Sequence, residues 1–364
     1  MAEIKKIAII APPFTTVPPV GHGGTERIID LKIKELTKRG YEVDVFGCGD
    51  FKISGNFRQI FPETISNMKF DPDLVEASRP IRLETAYLTA VMEILSQEDG
   101  KYDVIFNHTR GGYLFVPLFE KLKTPMITTF HLPLFKELNS ALKNLKKPNF
   151  ISISNAQRKN APDLKYLATI YNGVDLNEFS FNKNPEEYLL FVGALGKHKG
   201  IHLAIEIAKN SDKILKIAGG KKREPFFSQE IQPQVDNKQI ILIGEVDGKE
   251  KINLYQNAKA LLFPVLIDES FGLVMIEAMA CGTPVIAFDK GAVREVIEDS
   301  ITGFICPSGD VSCMIKAVKK INEMPEEEYH QMRQNCRKHI EENFTVEKMV
   351  DEYLLAYNQI GNNL

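Results

Sequence analysis

Short apolar runs, many of them β-branched, alternate with longer segments of helical periodicity along the chain. The runs are almost continuously apolar, which is typical of strands buried on both faces of a parallel sheet. A polar stretch separates the predicted strands into two series. The first series is 7–11, 42–46, 104–107, 126–130, 150–153 and 168–171, and the second is 188–192, 214–218, 240–243, 260–263, 285–288 and 303–306.

Helical patterns between these runs predict two doubly wound, Rossmann-like α/β domains that face each other across a cleft. A turn at Asn172-Gly173 and a polar run after it indicate the boundary. We therefore expect domains at 1–175 and 176–344. The acidic tail should break near Asn343-Phe344, and residues 345–364 should pack on the first domain. The predicted helices are 27–39, 85–96, 202–209, 249–257 and 273–280.

Composition is that of a globular protein: of 364 residues, 44% are hydrophobic and 26% are charged. The net charge of −3 gives no general attraction to nucleic acid, so we expect no nucleic-acid partner. Five scattered cysteines without a C-x2-C pair predict neither a disulfide nor a zinc site. No apolar run approaches the roughly 18 residues of a membrane span, and we expect a cytoplasmic protein.

The segment 268–282 carries the most informative chemistry. A loop with Glu269 precedes a helix that is apolar nearly all round except for Glu277. A buried carboxylate needs a polar partner, and two remain open: a distant lysine or arginine, or the hydroxyls of a ligand such as a ribose. Free N–H groups at the start of this helix would suit a phosphate. Gly282 is expected in a left-handed conformation that ends the helix.

The string from Glu269 to Val285, ESFGLVMIEAMACGTPV, resembles the E-x7-E signature of family-4 (group 1) glycosyltransferases of the GT-B fold. The resemblance implies that Glu269 contacts the donor hexose and that Glu277 contacts the ribose of the nucleotide. It also implies donor-binding positions in the intervening loop and first turn, at Ser270, Phe271, Gly272 and Leu273.

Further segments are similar to the same family. Gly23 and Gly24 stand where its first strand leads into its first helix, and glycines there permit close approach to a phosphate or sugar. The resemblance implies that these two glycines bind the donor. The alternatives are a plain turn, and Thr25 as a helix N-cap. The resemblance implies that His131, after a strand, lies near the reacting centre, although it could instead cap a loop. His108, at a similar strand end, is a weaker candidate for contacting the acceptor.

One departure concerns the donor diphosphate. In the family, a Gly-Arg ends the first strand of the second domain and a Lys-Gly follows five residues on. Lys199-Gly200 matches here, but Ala194 replaces the arginine. The resemblance implies catalytic roles for Lys199, Glu269 and His131, and places Val246 beside the base. Cations that could replace the arginine are Lys197, His198, Lys222 and Arg223.

The resemblance implies a retaining hexosyltransferase that uses a nucleotide-sugar donor, with UDP-glucose the first choice and GDP-mannose the second. The acceptor, a sugar, lipid or small molecule, is not readable. We expect no cofactor and no metal. Asp71-Pro72-Asp73 fits a metal-binding D-x-D pattern, but so short a pattern is common, and His22 has no second ligand nearby in sequence.

Three alternatives stay open. A slow or non-catalytic sugar-nucleotide binder is suggested by Ala194, and a GT-B epimerase belongs to the same fold; a phosphorylase would need a longer chain. Separately, a basic, leucine-containing segment at 132–147 could touch an anionic membrane. We favour the interpretation that its leucines pack on the domain. Its lysines are Lys136, Lys143, Lys146 and Lys147.

Overall fold

The computed structural model describes residues 4–21, 23–69, 76–220, 224–246 and 248–361. The chain divides into two compact units. The first unit comprises Met1–Tyr171 and Val346–Leu364, and the second comprises Asn172–Thr345. Each unit is built around one parallel sheet, which confirms the predicted class of two Rossmann-like α/β domains.

The first unit has a seven-stranded sheet with helices packed on it. Its strands are β1 (Lys6–Ile10), β2 (Glu42–Cys48), β3 (Asn56–Phe61), β4 (Val104–Asn107), β5 (Met126–Phe130), β6 (Phe150–Ser152) and β7 (Tyr166–Thr169). Its helices before the domain boundary are α1 (Gly24–Lys38), α2 (Arg79–Gln97), α3 (Val116–Phe119) and α4 (Lys136–Leu142). The strand order is β3-β2-β1-β4-β5-β6-β7. Strands are added on one side of β1 up to β3 and on its other side from β4 onward, so the order of addition reverses between β1 and β4.

The second unit has a six-stranded parallel sheet. Its strands are β8 (Tyr188–Val192), β9 (Ile214–Ala218), β10 (Ile240–Gly244), β11 (Ala260–Phe263), β12 (Val285–Phe288) and β13 (Gly303–Cys306). Its helices are α5 (Ile201–Asn210), α6 (Gly248–Asn257), α7 (Leu273–Ala280), α8 (Val293–Val296), α9 (Val311–Glu323) and α10 (Glu326–Asn343). The order β10-β9-β8-β11-β12-β13 places its reversal between β8 and β11.

The last helix, α11 (Val346–Gly361), belongs to the first unit. The Tyr353 hydroxyl lies 2.9 Å from Thr129 Oγ1 on β5, and Arg39 forms an ion pair with Asp351. The predicted break near Asn343-Phe344 is confirmed, because α10 ends at Asn343 and α11 begins at Val346.

Two features were missed by the sequence predictions. Strand β3 was not predicted, because it is half-exposed along its length and includes polar residues such as Arg58 and Gln59. The expectation of no disulfide is wrong: Cys306, at the end of β13, is bonded to Cys313 in the first turn of α9. The seven-residue spacing gave no sign of the pairing, since folding brings β13 and α9 together.

Candidate active site

The switch point of the second sheet holds an ion pair between Lys199 and Glu269. Lys199 ends a short 3-10 turn, Lys197–Lys199, that follows β8. Glu269 lies in the loop that follows β11. Because β8 and β11 are neighbouring parallel strands, their following loops meet at one edge of the sheet. Two of the three predicted catalytic residues are therefore in direct contact.

Two glycines hold this pair in place. A Cβ on Gly200, whose φ is 75°, would lie 1.9 Å from the carbonyl oxygen of Pro264. A Cβ on Gly291 would lie 2.1 Å from the carbonyl oxygen of Glu269, and Ala292 N–H donates to that same oxygen over 3.1 Å. A side chain at either position would displace the backbone that carries Lys199 or Glu269. Gly291 was not predicted, because its contact is distant in sequence.

Helix α7 follows Glu269 directly. Gly272 precedes its first residue with φ 90°, and Met275 N–H donates to the Gly272 carbonyl over 3.0 Å. Phe271 is buried, whereas Leu273 is only partly buried. The helix N-terminus and Glu269 thus lie together, as the sequence predicts for a segment that meets a charged ligand. Gly282 has φ 84° after the helix, which confirms its expected left-handed conformation.

Glu277 is buried in α7, with 4% of its surface exposed. Its Oε1 accepts a hydrogen bond from Lys251 Nζ over 2.8 Å, and its Oε2 accepts one from the Tyr255 hydroxyl over 2.8 Å. Of the two partners left open by the sequence, a lysine 26 residues away is therefore present. Lys251 and Tyr255 are four residues apart on α6 and lie on one face.

The loop after β8 contains Ala194, the residue that stands where the family has an arginine. Ala194 is half-buried, and its carbonyl accepts from Gly196 N–H over 2.9 Å. Lys197 is exposed, and the backbone of His198 accepts from Leu266 N–H over 3.0 Å. Val246, half-buried, follows β10. The other substitutes, Lys222 and Arg223, lie outside the described residues.

In the first unit, helix α1 begins at Gly24, and Gly23 precedes it with φ 147°. A Cβ on Gly23 would lie 2.5 Å from Cβ of Pro19, so this loop requires a glycine. Thr25 lies inside the helix, which excludes the alternative that it is the N-cap. Burial raises the pKa of the neighbouring Glu26.

His108 and His131 lie at the carboxyl ends of β4 and β5 and are hydrogen-bonded to each other. His108 Nδ1 is 2.7 Å from His131 Nε2, and His108 Nε2 is 2.9 Å from Lys32 Nζ. Burial lowers the pKa of His108 well below its usual value and lowers that of His131 to about 3. Lys32 was not predicted, because a lysine within an amphipathic helix normally faces water.

Because both histidines are neutral in the folded protein, the free energy of unfolding should depend on pH. Because folding lowers both pKa values, the unfolded chain binds protons below about pH 6.5 that the folded chain does not. The free energy of unfolding should fall by about 2 kcal/mol per histidine between about pH 7 and about pH 5. Urea unfolding followed by circular dichroism measures this difference. His131→Gln should reduce this fall by about 2 kcal/mol. A wild-type free energy of unfolding that does not change between these pH values would contradict the neutral state of the two histidines.

The basic segment at 132–147 contains α4. Leu138 is buried in the first unit's core, and Leu142 and Leu145 pack against the same cluster. Its four lysines are exposed. The leucines therefore cover the domain itself. None of the helices in the described ranges is both long and apolar enough to cross a bilayer.

No group of three or more histidine, cysteine or acidic side chains suited to a metal ion occurs among residues 4–21, 23–69, 76–220, 224–246 and 248–361. Asp71-Pro72-Asp73 and His22 lie outside these ranges.

Comparison with known families agrees with a fold of two Rossmann-like α/β domains. Residues 22–178 match the family Glycosyltransferase Family 4, and residues 175–339 match Glycosyl transferases group 1. The chain belongs to the group 1 glycosyltransferases. The second of these ranges includes Glu269 and Glu277, and the first includes His131.

Two curated relatives of this glycosyltransferase align over nearly its full length. The Escherichia coli O-antigen chain mannosyltransferase C is 23% identical over 95% of this chain and 97% of its own. The Bacillus anthracis N-acetyl-alpha-D-glucosaminyl L-malate synthase is 23% identical over 95% of this chain and 96% of its own.

Among solved structures, Anabaena HepE in complex with UDP and glucose has a TM-score of 0.73 at 16% identity. The alignment covers 98% of this chain and all of HepE. This likeness shows the fold, which is that of the GT-B glycosyltransferases.

Proposed function

We propose that this chain transfers a hexose from a nucleoside-diphosphate sugar to an acceptor, with retention of configuration and without a divalent ion. The observation that carries the proposal is the Lys199–Glu269 pair beyond the carboxyl ends of β8 and β11. Open parallel sheets bind ligands where the strand order reverses, and this pair lies at the reversal. The second unit is therefore the proposed donor domain.

Each part of the pair has a role in transfer. Lys199 and the exposed Lys197 would neutralise the diphosphate, whose negative charge grows as the glycosidic bond breaks. N–H groups from Phe271 to Leu273 would donate to phosphate oxygens at the beginning of α7. Glu269 would accept hydrogen bonds from hexose hydroxyls and hold the sugar in position. In the retaining mechanism that the family supports, the leaving diphosphate takes the acceptor's proton on the same face.

Glu277 is the proposed ribose ligand. Each carboxylate oxygen has two lone pairs, so the bonds from Lys251 and Tyr255 leave one on each for a ribose diol. These two partners also fix the carboxylate in one orientation before the donor arrives. Val246, after β10, is the proposed neighbour of the base.

The first unit is the proposed acceptor domain. Gly23 and Gly24 would let the backbone approach a ligand, and His108 and His131 follow neighbouring strands at the same sheet edge. His131 would contact the hexose near the reacting centre. His108 is largely buried behind it, with 1% of its surface exposed, so His131 is the better placed of the two to touch a ligand.

The donor is proposed to be UDP-glucose or, second, GDP-mannose. The relatives support each: the Escherichia coli relative is named as a mannosyltransferase, and HepE was solved with UDP and glucose. Both sugars are hexoses carried on a nucleoside diphosphate, so the Lys199–Glu269 pair suits both.

The test is nucleotide release from each donor, measured with and without EDTA in the presence of a panel of sugar, lipid and small-molecule acceptors. The proposal predicts acceptor-dependent release of UDP or GDP that EDTA does not inhibit. Tight donor binding without release would identify a non-catalytic binder. Recovery of an epimerised donor would identify an epimerase, and either outcome contradicts the proposal.

Replacing Ala194 with arginine should raise kcat/KM for the donor about tenfold, because it adds a permanent cation beside the developing diphosphate charge. Steady-state kinetics measures the change. Ala194→Gln adds length without charge and should change kcat/KM by less than about twofold. Equal kinetics for the arginine and glutamine variants would contradict the position assigned to the diphosphate.

A further inference from the structure

A lysine is buried behind the two histidines of the first unit. Lys32, on α1, has no exposed surface. Among the described residues its Nζ has one polar partner, Nε2 of His108, and no carboxylate. Two aromatic rings also lie close to it: Nζ lies 3.0 Å from the ring centroid of Tyr353 and 4.9 Å from that of Phe106. The proposed function assigns this lysine no role.

Burial lowers the pKa of Lys32 well below its usual value. A buried ammonium with no carboxylate partner is strongly disfavoured, so the amine is neutral and has one lone pair and two N–H groups. The faces of aromatic rings are negative and attract N–H groups. The two N–H groups therefore face Tyr353 and Phe106, and the lone pair faces His108.

This orientation determines where each imidazole carries its proton. The lone pair of Lys32 accepts a hydrogen bond from His108 Nε2–H, so His108 Nδ1 is unprotonated. His108 Nδ1 then accepts from His131 Nε2–H over the 2.7 Å contact. A neutral His131 with its proton on Nε2 has an unprotonated Nδ1. If these hydrogen bonds ran in the opposite direction, with Lys32 donating to His108, the lone pair of the amine would face the aromatic rings.

We propose that Lys32 is a positioning residue that sets, through His108, the tautomer in which His131 presents an unprotonated Nδ1 as a hydrogen-bond acceptor. The role of that acceptor rests on the proposed function, in which His131 meets a hexose hydroxyl. The described part of the chain offers Nδ1 of His131 no hydrogen-bond partner of its own. A ligand hydroxyl could therefore donate to it.

The surroundings keep this chain of bonds in one arrangement. The Tyr353 hydroxyl is held at 2.9 Å by Thr129 Oγ1 on β5, which fixes the ring under Lys32. The His108 and His131 rings have centroids 5.0 Å apart. Residues on α1, at the ends of β4 and β5, and on α11 thus combine to orient one imidazole.

The test is the nitrogen NMR spectrum of the full chain labelled with 15N-histidine, which distinguishes protonated from unprotonated ring nitrogens. Signals of His131 are assigned by their loss in His131→Gln. The wild type should show a protonated Nε2 and an unprotonated Nδ1 at His131. In Lys32→Met these shifts should move toward the average of the two tautomers, because the acceptor that fixes His108 is gone.

Lys34→Met is the matched control, because Lys34 lies on the same helix, is half-exposed and pairs with Asp30 over 2.8 Å. It should leave the His131 signals unchanged. In Lys32→Met, kcat should fall about fivefold with the donor KM changed less than twofold, because the wrong tautomer is populated. Its melting temperature should not fall, since methionine replaces a buried amine with an apolar side chain of similar length.

A protonated Nδ1 on wild-type His131 would overturn the proposal, and this outcome does not depend on whether the Lys32→Met variant folds. Unchanged His131 signals in a folded Lys32→Met variant would also overturn it. The NMR result does not depend on catalysis. A correct tautomer in a protein that releases no nucleotide would therefore refute the proposed function while upholding the positioning role.

Discussion

Glu269→Gln should lower kcat for hexosyl transfer by about a hundredfold or more. The substitution keeps the size of the side chain but removes the charge that pairs with Lys199. The amide is a weaker acceptor for hexose hydroxyls, and Lys199 loses the group that positions it. Both effects act at the reacting centre, so kcat should fall even when the enzyme is saturated with the same donor.

The matched control for this variant is Glu250→Gln, at an exposed position in the first turn of α6. It makes the same chemical change in the same unit and should alter kcat by less than about twofold. Initial rates of nucleotide release measure both variants. A Glu269→Gln variant as active as Glu250→Gln would show that the pair does not serve transfer.

The second large effect concerns stability. Glu277→Leu should destabilise the second unit by about 3–5 kcal/mol, because it leaves Lys251 buried without its carboxylate. The two side chains are 6% and 11% exposed, so solvent does little to compensate either charge. Lys251→Met should reduce the stability by a similar amount, because it leaves the Glu277 carboxylate buried without its lysine. Urea unfolding measures both.

Combining the two substitutions tests the cause. Lys251→Met with Glu277→Leu removes both buried charges and should recover most of the lost stability. Glu342→Gln, which breaks a pair with Lys338 in which the two side chains are 59% and 73% exposed, is the control and should cost less than about 1 kcal/mol. If the loss of stability in the double variant equals the sum of the losses in the two single variants, the two buried charges are not coupled.

The sheets were predictable because strands buried on both faces leave a strong signal. Apolar runs such as β8 and β12 have the predicted bounds. Strand β3 left no such signal, since its half-exposed residues include Asn56 and Arg58. Strand β7 was predicted two residues too late, at 168–171, because all four of its residues are only partly buried and its apolar pattern is weak.

The candidate site was predictable where its residues lie in one segment and unpredictable where folding joins distant ones. Glu269 and Glu277 are readable from one loop and one helix. Lys251, by contrast, is identified only when α6 packs against α7. Lys32 and His108 are 76 residues apart, and no local pattern connects them.

Hydrogen–deuterium exchange of the full chain, with and without saturating UDP-glucose or GDP-mannose, would locate the proposed donor site in the second unit. One of the two donors should slow the exchange of backbone amides at 193–200 and 268–277, around Lys199 and Glu269. Slowed exchange that spares both segments and appears elsewhere in the chain would contradict this location of the donor site.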